Sequence, residues 1–151
     1  MTENELARIV FDSGLKVHKA LGPGLLESAY EACLAYQLCK DGLNVERQVV
    51  LPIEYCNEKI DAGYRIDLRV DGRVIVEVKS VQLLQSIHEA QLLSYLRLSG
   101  LSVGLLINFN VRHLKDGIKR MVNDYHPPTR EITTEDAVVR RGEDEDCMDG
   151  R

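Results

Sequence analysis

The stretch Ile66–Ser80, I-D-L-R-V-D-G-R-V-I-V-E-V-K-S, constrains the fold of this chain more than any other. Two apolar strands flank a turn around Asp71-Gly72. Yet Asp67, Glu77 and Lys79 stand where a buried strand carries aliphatic residues. Unpaired charge is costly to bury, so the carboxylates call for a neutralising partner, and a divalent cation is the simplest. Side chains alternate faces along a strand. Val74, Val76 and Val78 therefore share one face, with Ile75, Glu77 and Lys79 on the other. Ile66, Leu68 and Val70 likewise oppose Asp67 and Arg69. If both apolar faces join one core, Asp67 shares a face with Glu77 and Lys79. A two-residue Asp71-Gly72 loop would instead set Asp67 opposite Val76. An odd loop, for instance Val70-Asp71-Gly72 with Gly72 left-handed, restores the match. The competing arrangement is a surface Glu77–Lys79 salt bridge beside an exposed Asp67 on a sheet edge.

Carboxylate oxygens are hard ligands suited to Mg²⁺ or Mn²⁺, and Mg²⁺ uses one or two carboxylates plus waters and phosphate oxygens. Asp67 and Glu77 are the metal-ligand candidates, and the backbone carbonyl of Val78 is a further one. Lys79 is placed to hold an attacking water or to stabilise a developing oxyanion. Downstream, His88, Gln91 and Tyr95 have spacing i, i+3, i+7 and fall in a narrow arc of one helix. Gln91 can order a water or phosphate, and Tyr95 can bond a carboxylate or stack on a base. His88, as a lone histidine, reads as structural. Upstream, Glu27 and Tyr30 are i, i+3 in G-L-L-E-S-A-Y. Glu27 can complement the helix dipole or lend a carboxylate to the metal site from outside the sheet, and Tyr30 reads as core.

The remaining pattern is mixed α/β. Thr2 to Glu5 forms a capping box opening a helix that ends at Gly22-Pro23. A second helix covers about 26–40. Val45–Tyr55 alternates as a half-buried strand, with a hairpin turn at Asn57-Glu58 and a second strand over Lys59–Val70, bent near Gly63. Val74–Ser80 is a central strand, Leu84–Ser99 a helix, Leu101–Asn108 a strand buried on both faces, and Leu114–Val122 a short helix. The expected organisation is one domain over residues 1–123 and an acidic tail over 124–151.

The tail holds nine Asp/Glu and four Arg, which accounts for the whole net charge of −5. The body is neutral, which counts mildly against tight nonspecific DNA binding. No apolar run approaches a membrane span, and the N-terminus lacks a signal-peptide pattern. None of the four cysteines makes a C-x-x-C pair, so reduced thiols and a cytoplasmic location are expected.

In order, Asp67, Glu77-Val78-Lys79 and Gln91-Leu92-Leu93-Ser94-Tyr95 resemble the PD-(D/E)xK nuclease superfamily, and the Q-x-x-x-Y element resembles its branch of bacterial recombination exonucleases. Gly24-x-x-Glu27-x-x-Tyr30 resembles the signature of the small bacterial family named GxxExxY. The resemblance covers about residues 5–123. It implies a four-stranded mixed sheet flanked by helices and metal-dependent hydrolysis of DNA phosphodiesters, with single-stranded and duplex DNA both open as partners. Asp67 and Glu77 would ligate the metal and Lys79 would act in catalysis. Glu27, Gln91 and Tyr95 would support the site. One departure is Ile66, where the motif name has proline. Two other readings are open: a catalytically silent adaptor that binds nucleic acid or a protein, and a subunit whose homodimer mate or partner protein supplies DNA-binding surface.

Overall fold

The computed structural model describes residues 1–123. The expected acidic tail, 124–151, lies outside the described residues. Helix α1 (Glu3–Leu21) opens with the Thr2/Glu5 capping box, and α2 (Glu27–Lys40) follows. Strand β1 (Val45–Val50) precedes a hairpin of β2 (Ile53–Tyr55) and β3 (Glu58–Ile60). Then come β4 (Arg65–Val70), β5 (Val74–Lys79), α3 (Ser86–Ser99), β6 (Val103–Asn108), a 3₁₀ turn at Leu114–Asp116 and β7 (Ile118–Val122). One mixed sheet has the order β1-β4-β5-β6-β7, with only β5 and β6 parallel. That pairing needs a crossover, and α3 is it.

The sheet has five strands where the resemblance implies four, because β7 replaces the last expected helix. Ile118, Met121 and Val122 fit either period. The backbone decides: a Cβ at Gly117 would lie 2.2 Å from the Asn108 carbonyl oxygen. This close approach turns the chain back along β6. The two long strands also break into four. Pro52 has no N–H to donate to a ladder, and the hairpin loop is Cys56-Asn57, both left-handed as in a type I′ turn, one residue earlier than the spacing suggests. Cys33 and Cys39 are free, whereas Cys56 is in a disulfide. The expectation of uniformly reduced thiols therefore fails, since bridging depends on distance in space and not on sequence spacing.

The sheet separates two cores. Val74, Val76, Val78, Leu105 and Ile107 pack with Leu6, Val10, Leu34 and Leu38 of α1 and α2. Ile75 and Leu106 pack with Leu92, Tyr95 and Leu96 of α3. Alternate residues of β5 and β6 thus serve opposite cores, which is why both strands are almost wholly apolar. Glu77, in the middle of that run on β5, is held in a dry, two-sided environment. None of the helices described is long and apolar enough to cross a membrane.

Candidate functional site

The β4–β5 loop has the odd length that core burial requires. Val70 pairs with Val74, leaving Asp71-Gly72-Arg73 as a three-residue loop with Asp71 and Gly72 left-handed. It is the expected kind of loop, one residue further along. The same register carried back from Leu68↔Val76 sets Asp67 opposite Glu77. There the ladder changes character. The Asp67 N–H donates to Glu77 Oε1 (3.1 Å), and the Val78 N–H donates to Asp67 Oδ2 (2.9 Å). Side-chain carboxylates stand in for backbone carbonyls where the two strands part.

Glu77 is only 3% exposed. Burial, and then the neighbouring Asp67 charge, push its carboxyl up to about 8. Burial also raises Asp67, helped by Glu31 and opposed by the Val78 N–H and Lys79. Tyr95 is raised by burial and by both carboxylates. Lys79 takes part in none of the ion pairs among the described residues. The exposed salt-bridge arrangement is therefore not what forms here.

Glu27 reaches the site through the turn before α2. Gly24 has φ of 99°, which an L side chain rarely adopts. The buried Tyr30 hydroxyl donates to the Gly22 carbonyl (2.5 Å) and accepts from the Leu25 N–H (3.1 Å). Its ring stacks on Phe109 with centroids 4.6 Å apart. Gly24 shapes the loop and Tyr30 pins it. Glu27 Oε1 accepts the Ser80 N–H at the end of β5 (3.3 Å), and Ser80 Oγ donates to the Leu25 carbonyl (2.6 Å). Glu27, Glu31, Gln48 and Asp67 line one cleft of about 550 Å³. Among the described residues no three His, Cys, Asp or Glu side chains converge as a ready-made metal cluster. Glu27 faces the same cleft as Asp67 without closing on the Asp67–Glu77 pair.

The α3 residues divide. Gln91 donates to the Tyr95 hydroxyl (3.1 Å), and both line a second groove. His88 Nδ1 accepts the Gln85 N–H and caps α3.

Gln48 and Glu31 were not among the residues that sequence reasoning selects. Gln48 has φ of 51° inside β1, a conformation that costs a non-glycine residue about 1–3 kcal/mol. Its amide donates to Glu31 Oε1 and to Asp67 Oδ1 (3.3 Å), while Arg47 donates to Glu31 Oε2. The twist has a consequence for both strands. Val45 joins the α1/α2 core but Val49 the α3 core, and Leu68 and Ile66 divide in the same way. An even spacing that should keep one face changes face at the Gln48/Asp67 row. The only signal in the sequence is a glutamine in an otherwise ordinary alternation.

A family model described as PD-(D/E)XK nuclease superfamily matches residues 4–121. Neither the curated proteins nor the solved structures compared contain a match to the chain.

Proposed function

Because the chain belongs to the PD-(D/E)XK nuclease superfamily, we propose that it is a metal-dependent nuclease that hydrolyses DNA phosphodiester bonds. The observation that carries this reading is the Asp67–Glu77 pair at the parting of β4 and β5, with Glu77 buried and Asp67 on the wall of the cleft. Two carboxylates held side by side, the buried one with its proton affinity raised to about 8 and the other open to the cleft, form a hard-oxygen donor set. Such a set fits a divalent cation and has little other use. We further assign the chain to the GxxExxY branch, since Gly24, Glu27 and Tyr30 each have a distinct local task.

Asp67, Glu77 and the Val78 carbonyl would hold Mg²⁺ or Mn²⁺, with Glu27 on the facing wall. The Val78 N–H points toward β4, and in an extended strand the carbonyl of the same residue leaves from that edge. When bound, the cation would supply Lewis-acid neutralisation of phosphoryl charge and a more acidic water. Lys79, which pairs with no carboxylate among the described residues, would orient that water or meet the oxyanion. Gln91 and Tyr95 would border the site from α3.

The test is cleavage of single-stranded DNA, duplex DNA and RNA by the full chain with Mg²⁺, Mn²⁺ or EDTA. Lys79→Met keeps the aliphatic stem, and it should bind Mn²⁺ yet cleave at least about a hundredfold more slowly, typical of losing one transition-state stabiliser. Asp67→Asn should lose both metal binding and cleavage. Lys79→Met cleaving at the parental rate would remove Lys79 from catalysis. A parent that cuts nothing, with or without metal, would make the chain the silent adaptor.

A further inference from the structure

The second groove is unlike the first. It holds about 600 Å³, within the range of small-ligand pockets. Ile53, Tyr64, Ile87 and Leu98 give it apolar walls, Gln91 and Ser94 give it polar edges, and Arg97 and His88 are the basic side chains on it. Among the described residues no Asp or Glu lines it, in contrast to the cleft of Glu27, Glu31 and Asp67. Tyr64 is 41% and Ile87 65% exposed. The Tyr64 and Tyr95 rings meet at 69° with centroids 6.0 Å apart, so Tyr95 covers at most one face of Tyr64.

We propose that this groove is a nucleobase subsite, which takes an unpaired base of the strand whose phosphate lies at Asp67 and Glu77. The occupant must be flat, apolar on its faces, polar at its edges and attached to an anion. Continuity identifies it. Tyr95 and Gln91 line the groove, and Tyr95 packs in one cluster with Ile66 and Ile75, strand residues close in sequence to Asp67 and Glu77. A strand running from the carboxylate pair toward α3 would meet the groove at Tyr95, whose ring contacts that of Tyr64. A phosphate has no place against Ile53 and Leu98, whereas a base stacked on Tyr64 does. Gln91, Ser94 and Arg97 offer hydrogen bonds to its edge. Bases in a duplex are stacked inward and unavailable, so the groove selects single-stranded or frayed ends. The role in cleavage rests on the nuclease reading of the neighbouring carboxylates; the binding does not.

The experiment measures binding of a fluorescent 12-nucleotide single strand to the full chain, with Ca²⁺ replacing Mg²⁺. Comparisons are the duplex of the same sequence and the same strand with abasic sites. The single strand should bind at least about tenfold tighter than either, the scale of losing one stacked base. Tyr64→Ala should lose about the same factor on the normal strand and nothing on the abasic one, and Tyr64→Trp should restore it. Ile87→Ser should act in the same direction. Both positions are exposed, so the variants keep the fold, which circular dichroism checks. Equal binding of the abasic strand or duplex, or Tyr64→Ala binding like the parent, would overturn the subsite. A parent that binds no oligonucleotide would also overturn it and point to a protein occupant. Metal-dependent cleavage with unchanged Tyr64→Ala binding sinks the subsite alone. Base-dependent binding without any cleavage sinks the nuclease reading alone.

Discussion

Glu77 has the most demanding environment of any single residue. Its folded carboxyl titrates near 8 against an ordinary 4.5. The folded chain therefore keeps a proton that the unfolded chain releases, and metal-free stability should fall as pH rises from about 4.5 to 8. The raised Asp67 adds in the same direction. Thermal melts in EDTA should show this decline. Glu77→Gln should flatten it and melt above the parent at pH 8, and added Mn²⁺ should stabilise the parent but not the variant. A parent profile flat from pH 5 to 8 would contradict the burial argument. Asp67, Glu77 and Lys79 were legible in the sequence because parity and core burial act on every residue of a strand at once. Gln48 was not, because a left-handed φ leaves no trace in residue type. Gln48→Gly should relieve the backbone and lose the amide, keeping stability within about 1 kcal/mol of the parent, whereas Gln48→Val should lose about 1–3 kcal/mol. Denaturant titration separates the two, and equal stabilities would mean the twist is unstrained.

At the scale of elements, α3 rides directly on β6. A Cβ at Gly104 would lie 2.8 Å from Leu92 Cδ1 and 3.1 Å from Leu92 Cγ. Helix and strand are therefore closer than any side chain at position 104 allows. Gly104→Ala should cost about 1–3 kcal/mol through overpacking. It should also lift Gln91 and Tyr95 away from Glu77, so cleavage should drop beyond what the lost folded fraction explains. Single-turnover rates at full folding check this, and parental rates would show that α3 tolerates the shift. The helices were legible because caps and glycine stops mark their ends, as Thr2 and Gly22 do for α1 and Gly100 does for α3. Strand β7 was not, because a five-residue apolar pattern satisfies both periods and only the Gly117 approach to Asn108 resolves it.

Across the whole molecule, charge and sheet architecture bear on a polyanionic substrate. The net −5 belongs to residues 124–151, and 1–123 is neutral. Removing the acidic stretch should tighten single-strand binding at low salt and make no difference near 0.5 M, where the field is screened within about 4–5 Å. Salt titrations of both chains test this, and a salt-independent difference would point to direct contact. The sheet itself is unevenly joined. Strands β5 and β6 pair continuously from Val74 to Lys79, but β4 pairs with β5 through backbone register only from Leu68 to Val70. Beyond that, the seam is closed by the oxygens of Asp67 and Glu77. The β1–β4 half, with its hairpin, is thus latched to the rest by the atoms a cation would claim. A cation held there would compete with these two hydrogen bonds, and the amide-exchange rates of Asp67 and Val78 would gauge that competition.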